Sequence, residues 1–169
     1  MAGCTGEAGR SGSTVDGTVV EYDPADRVAA PEIAGELLDG SAYDAATVRG
    51  DVVVINFWGS WCAPCRAEAS DLEETYQATR ADGVEFLGVN IRDERDKAKA
   101  FLVGRSTYPS LFDPPGRLAL RFDVPPNYIP ATLILDRSGR IAVVIRKPIR
   151  RPELEPIVAR LAAEPARQD

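Results

Sequence analysis

Cys62-Ala63-Pro64-Cys65 is the stretch of this 169-residue chain whose residue types and spacing can do chemistry. Two thiols so placed can exchange a disulfide with another chain, hold half of a metal site, or close a structural disulfide. They follow Val52–Trp58, a β-branched and aromatic run that reads as a strand buried on both faces. They open a segment, Cys62 to about Ala81, in which Leu72, Tyr76 and Thr79 recur at helical spacing and Gly83 marks the stop. At a helix start the backbone N–H groups are unpaired and the macrodipole is positive, so a thiolate is stabilised there. A Cys-x-x-Cys cysteine in that setting is a nucleophile at neutral pH. On one helix face the two sulfurs can meet. Pro64 falls in the first turn, where its missing N–H costs little. Trp61 can shield the pair and offer an apolar surface to a partner.

The other two readings are weaker. A structural zinc site needs about four ligands, and the chain has three cysteines and no histidine. A structural disulfide closing so short a loop would add little stability. The lack of histidine also removes histidine bases, Cys-His pairs and an attached c-type haem, whose motif ends in histidine. The net charge of −6 argues against nucleic acid as a partner. No metal or bound cofactor is expected; the redox group is the Cys62–Cys65 disulfide itself.

The elements that must position this pair follow from periodicity. Asp39-Gly40 between two short apolar runs signals a hairpin, with a helical turn near Ala45–Val48. Val84–Ile91 reads as a second buried strand and Asp93–Gly104 as a second helix. A short extended piece, a Pro-Gly turn and a short helix fill the stretch to Val124. Ala131–Ile145 is a hairpin around Arg137-Ser138-Gly139, and Arg151–Glu164 is a closing amphipathic helix. Strands alternating with helices and ending in a hairpin imply an α/β domain, a mixed sheet flanked by helices. It is expected to span residues 30–165, between an N-terminal tail or linker, 1–29, and a short C-terminal tail, 166–169. Arg146–Arg151 carries a basic cluster, read as a solvated run at the start of the last helix.

The tail "MAGCTGEAGRSGSTVDGT" is rich in Gly, Ser and Thr and has almost nothing to bury. No apolar run reaches the ~18–20 residues of a membrane helix, and the start lacks the charged and apolar regions of a signal peptide. Ala2-Gly3-Cys4 resembles the end of a bacterial lipoprotein processing site, which would make Cys4 an acylated first residue. On that reading the sequence is a processed form tethered to a membrane; the alternatives are a cytoplasmic protein and a leftover cysteine in a disordered terminus.

Two segments together carry a family resemblance. "FWGSWCAPCRAE" resembles the active-site segment of the thioredoxin superfamily, and "IPATLILDRSGRI" is similar to its cis-proline loop and following hairpin. The N-terminal hairpin, the helical insertion between Arg92 and Val124 and an acidic residue after the dithiol resemble the ResA/TlpA group. Those are membrane-anchored, extracytoplasmic thiol–disulfide oxidoreductases of bacteria. The resemblance implies a thioredoxin-like fold over most of the chain, with Cys62 the exposed nucleophile and Cys65 the resolving thiol. It implies that Pro130 is the cis-proline and that the backbone of Ile129 pairs with a bound substrate strand beside Trp61, Ala63 and Pro64. Glu68, one helical turn past Cys65, matches the acidic residue that takes the Cys65 proton. Asn56 departs from thioredoxin, which has a buried aspartate there, so any carboxylate help must come from elsewhere, and Glu68 is the candidate; its plainer reading is an acidic residue in an early turn that favours the helix dipole. Trp58 reads as core.

The expected function is disulfide exchange on the outer face of a bacterial cytoplasmic membrane. The partners would be a disulfide-containing exported protein such as apocytochrome c and a membrane thiol–disulfide electron donor, and the chain is expected to be a monomer. The nearest rival is an oxidase that inserts disulfides into exported proteins. A rival of another class is a non-enzymatic peptide-binding module on the same fold.

Overall fold

The computed structural model describes residues 12–15 and 17–166. Its strands are β1 (Gly12–Val15), β2 (Val19–Tyr22), β3 (Ala34–Glu36), β4 (Ala42–Asp44), β5 (Val52–Trp58), β6 (Val84–Asn90), β7 (Ser110–Phe112), β8 (Ala131–Leu135) and β9 (Ile141–Ile145). Its helices are α1 (Ala63–Thr79), α2 (Arg95–Leu102), α3 (Arg117–Arg121) and α4 (Arg151–Ala163), with a 3-10 turn at Ala45–Val48. Seven strands form one sheet in the order β1-β2-β9-β8-β5-β6-β7, and β3 and β4 form a separate hairpin. β5, β6 and β7 run parallel; the other neighbours are antiparallel. This is the mixed sheet that the alternation of elements predicts, in the thioredoxin-like form that the resemblance implies.

β5 lies at the centre, and every one of its residues is buried. Strand alternation sends Val52 and Val54 to one face, against Leu72 of α1 and Leu154, Val158 and Leu161 of α4. It sends Val53, Ile55 and Phe57 to the other, against Leu118 and Ala119 of α3, Phe122 at its C-terminal cap and the β3–β4 hairpin. The same parity turns Asn56 and Trp58 toward the α1 side, and that places both beneath the dithiol. Trp58 is core, as its sequence context suggests: it is buried and donates its indole N–H to Ser110 Oγ at 3.0 Å. Gly88 makes this contact possible, because a Cβ there would lie 2.7 Å from Ser110 Oγ and 2.9 Å from Trp58 Nε1.

One boundary is corrected. The stretch before Ala30 is not a tail throughout, since β1 and β2 extend the sheet beyond β9, with Val20 opposite Val144. Its strands are too short and too polar to show a period, and only pairing with an existing edge stabilises them. Arg27 is anchored too. Only 6% exposed, it bonds Asp136 Oδ2 at 3.1 Å and Glu164 Oε2 at 2.6 Å, tying this segment to the β8–β9 turn and the end of α4. Cys4 and residues 167–169 lie outside the described residues.

Arg27→Ala should leave the buried Asp136 carboxylate without its cation and cost about 3 kcal/mol. The measurement is a lower urea midpoint at unchanged m-value. A change within ~0.5 kcal/mol, usual for a surface site, would return this segment to the status of a tail.

Candidate active site

The site forms where β5 ends and α1 begins. Cys62 is the N-cap of α1, with extended backbone (φ −87°, ψ 107°), and the Cys65 N–H donates to its Sγ at 3.3 Å. A sulfur at an N-cap takes the role usually played by a serine or aspartate oxygen, so the helix end favours its thiolate. Cys62 and Cys65 are joined as a disulfide, with Cα atoms 5.3 Å apart. Pro64 occupies the first helical turn.

The Ile129–Pro130 peptide bond is cis. The loop it shapes brings the Ile129 carbonyl oxygen within 3.8 Å of Cys62 Sγ. Ala63 and Pro64 stand exposed at the rim, Ile129 is half-buried and Pro130 buried. The expectation of an exposed Cys62 needs correction: in the disulfide form it is only 4% exposed. The N-cap geometry turns its side chain back over the first turn, toward Cys65 and the Ile129 loop. Trp61 supplies the exposed surface, with half its area open to solvent. Its indole N–H points to the Ile91 carbonyl oxygen at 3.4 Å, and the Arg92 guanidinium lies 5.6 Å from its ring centroid.

Beneath the disulfide is a buried carboxyl. Glu68 is 1% exposed. Its Oε1 accepts from Asn56 Nδ2 at 2.8 Å, and its Oε2 accepts from the Ile149 N–H at 2.9 Å. Asn56 Nδ2 also donates to Thr132 Oγ1 at 3.1 Å, across the β5–β8 pair that sets these two residues opposite each other. Burial pushes the Glu68 carboxyl up from 4.5 to about 7; the two hydrogen bonds pull the other way, and the nearby Asp71 charge adds to the rise. A cavity of about 20 Å³ lies between Cys65, Asn56, Trp58, Tyr108 and Ser110, large enough for a single water molecule.

Three contributors carry no clear signal in the sequence. Asn56 reads there only as a departure from thioredoxin, yet it is the amide that holds Glu68. Ile149 acts through its backbone N–H, which no side-chain pattern can announce. Asp93 accepts from the Ser60 N–H at 2.6 Å, Ser60 Oγ at 2.8 Å and Asn90 Nδ2 at 2.9 Å, pinning the turn before Cys62. Burial alone would raise the Asp93 carboxyl, but these donors hold it below the usual carboxylate range. The charged context of "RDER" conceals that role.

Comparisons with known proteins agree with this geometry. Residues 27–144 match the AhpC/TSA family. The chain is 38% identical over 124 residues to the thiol:disulfide interchange protein HelX of Rhodobacter capsulatus, covering 71% of this chain and 67% of that one. It is 28% identical over 127 residues to the thiol-disulfide oxidoreductase ResA of Geobacillus kaustophilus, covering 75% of this chain and 72% of that one. The crystal structure of a secreted thiol-disulfide isomerase from Corynebacterium glutamicum superimposes with a TM-score of 0.84 at 34% identity, covering 91% of this chain and all of that one. With its cysteine pair at the head of α1, the chain belongs to the AhpC/TSA family and is a thioredoxin-fold thiol–disulfide oxidoreductase similar to ResA and HelX.

Proposed function

We propose that the chain reduces disulfides in exported proteins, with Cys62 as nucleophile, Cys65 as resolving thiol and Glu68 as the proton acceptor for Cys65. In the reduced protein the Cys62 thiolate attacks one sulfur of a target disulfide. A Cys62–target disulfide forms and the other target sulfur leaves as a thiolate that takes up a proton. Cys65 passes its proton to Glu68 and attacks Cys62. The mixed disulfide breaks, the target leaves as a dithiol, and the Cys62–Cys65 disulfide remains. An external dithiol of the membrane returns the two electrons.

The observation that carries this reading is the position of Glu68, enclosed in the protein one helical turn past Cys65, where burial pushes its carboxyl up to about 7. Such a group can take a thiol proton and release it again at neutral pH. Its charge also bears on direction. A strongly oxidising protein is one whose reduced, thiolate form is stabilised. A carboxylate one turn from the pair opposes that stabilisation, which favours a reductant. The ResA/TlpA resemblance supplies the substrate, apocytochrome c kept reduced for haem attachment, and the place, the outer face of the cytoplasmic membrane. The secreted C. glutamicum protein supports an extracytoplasmic site. Acylation of Cys4 would provide the anchor.

The reduction potential of the pair, set by equilibration with a thiol redox buffer, should lie near or below about −230 mV, on the scale where thioredoxin stands at ≈ −270 mV. A value near or above roughly −150 mV would reassign the protein to disulfide formation. Cys62→Ser should abolish turnover, and Cys65→Ser should accumulate mixed disulfides visible on non-reducing gels. A Cys65→Ser protein that captures no partner in cells would sink the exchange mechanism.

Glu68→Gln tests the proton acceptor. The wild-type rate should climb as pH rises through about 7, because the protonated carboxyl cannot accept. The variant should lose that limb and fall by a factor on the order of 10². Stability should run the other way. The folded protein holds this proton more tightly than the unfolded chain, so the wild type should lose roughly 3 kcal/mol as pH rises from 4.5 through 7. Glu68→Gln should lack that slope in urea titrations, and an unchanged slope would place the titration elsewhere.

A further inference from the structure

An open cleft of about 860 Å³ begins at Trp61, beside the dithiol, and runs along α2. Arg66, Arg92, Lys97 and Arg105 line it, facing two carboxylates, Asp93 and Glu94. In a chain of net charge −6 this is a concentration of the opposite sign. The two carboxylates are already engaged. Asp93 accepts from Ser60, Asn90 and the Glu94 N–H, and Glu94 pairs with Lys97 at 2.7 Å.

The three guanidiniums are held in place by neutral groups. Arg66 lies 4.5 Å and Arg105 5.0 Å from the Phe101 ring centroid, and Arg92 lies over Trp61. Arg66 donates to the Ser60 carbonyl oxygen, Arg105 to that of Phe101 and Arg92 to Asn127 Oδ1. Among the described residues none of the three is in an ion pair with a carboxylate. Each guanidinium carries five N–H donors in a planar fork, so each keeps donors for a ligand. Stacking on a ring fixes the plane of the fork, so less side-chain freedom is lost when a carboxylate arrives.

We propose that this cleft docks an acidic segment of the polypeptide whose disulfide is exchanged at Cys62. The proposal rests on the exchange reading and adds the chemistry of the partner. The occupant is a peptide because the cleft opens at Trp61, the residue next to Cys62, within reach of the chain that flanks a reacting disulfide. It is acidic because three preorganised forks without a carboxylate face it, and Arg–carboxylate pairs are well matched in shape and charge. Attraction between this patch and an acidic partner would also speed encounter at low salt.

The test uses the full-length reduced protein and two disulfide-bonded peptides with the same cysteine loop, one flanked by Asp and Glu, the other by Ser and Gln. The acidic peptide should be reduced with a kcat/KM about tenfold higher at low salt, carried by KM, and the advantage should shrink as salt screens it. Arg92→Gln combined with Arg105→Gln should cut that ratio to about twofold. Arg160→Gln, on the outer side of α4, should leave the ratio intact. Equal rates for the two peptides, or a ratio that survives the double replacement, overturns the docking proposal while the exchange reading stands. Reduction of neither peptide overturns the exchange reading and the docking proposal with it.

Discussion

A carboxyl group enclosed beneath a disulfide is the constraint on which the rest of the site depends. Glu68 cannot reach water, so each of its oxygens must find a donor within the protein. One donor comes from the central strand, as the amide of Asn56, and the other from the chain entering α4, as the N–H of Ile149. Three elements distant in sequence therefore converge on one side chain. Both partners are donors, which suits a carboxylate and leaves an amide at this position able to satisfy only one of them. The strand, helix and loop are locked together by this one carboxyl.

That arrangement sets two electrostatic influences against each other around the same pair of sulfurs. The N-terminus of α1 and the Cys65 N–H favour negative charge on Cys62. The Glu68 carboxylate, one turn further along, disfavours charge on its neighbours and is itself disfavoured by burial. With Cys62 ionised and Cys65 and Glu68 both protonated, a single full negative charge lies near the helix start, where the helix end favours it.

Much of this is legible in the amino-acid sequence. The Val52–Trp58 run, the cysteine pair behind it and the Ile129-Pro130 step place the strand, the helix start and the loop that meet at the site. Those signals are strong because each is local: burial on two faces, a proline in a first turn, a proline before a strand. What the sequence conceals is pairwise and long-range. Asn56 reads as a lost carboxylate, and only its contact with Glu68 gives the amide a role. Val19–Tyr22 carries too few residues to show a strand period, and only the free edge of β9 makes it one. Arg27 reads as tail because its partners stand 109 and 137 positions away.

The basic run at Arg146–Arg151 shows how a bland pattern can serve the site. Most of its cations are paired: Lys147 with Glu153, Arg150 with Asp71, and Arg151 with Glu74 and Glu155. Exposed pairs of this kind each contribute little, so their stability alone does not explain the arrangement. Their geometry does more. Arg150, the N-cap of α4, makes no side-chain cap, and Asp71 of α1 takes that role, accepting from the Arg151 N–H at 3.0 Å. Capping one helix from another fixes where α4 starts, and hence where the Ile149 N–H points. The same Asp71 charge helps raise the Glu68 carboxyl toward neutrality. The same stretch of chain thus carries both the donor that holds the buried carboxyl and the contact to the charge that helps raise it.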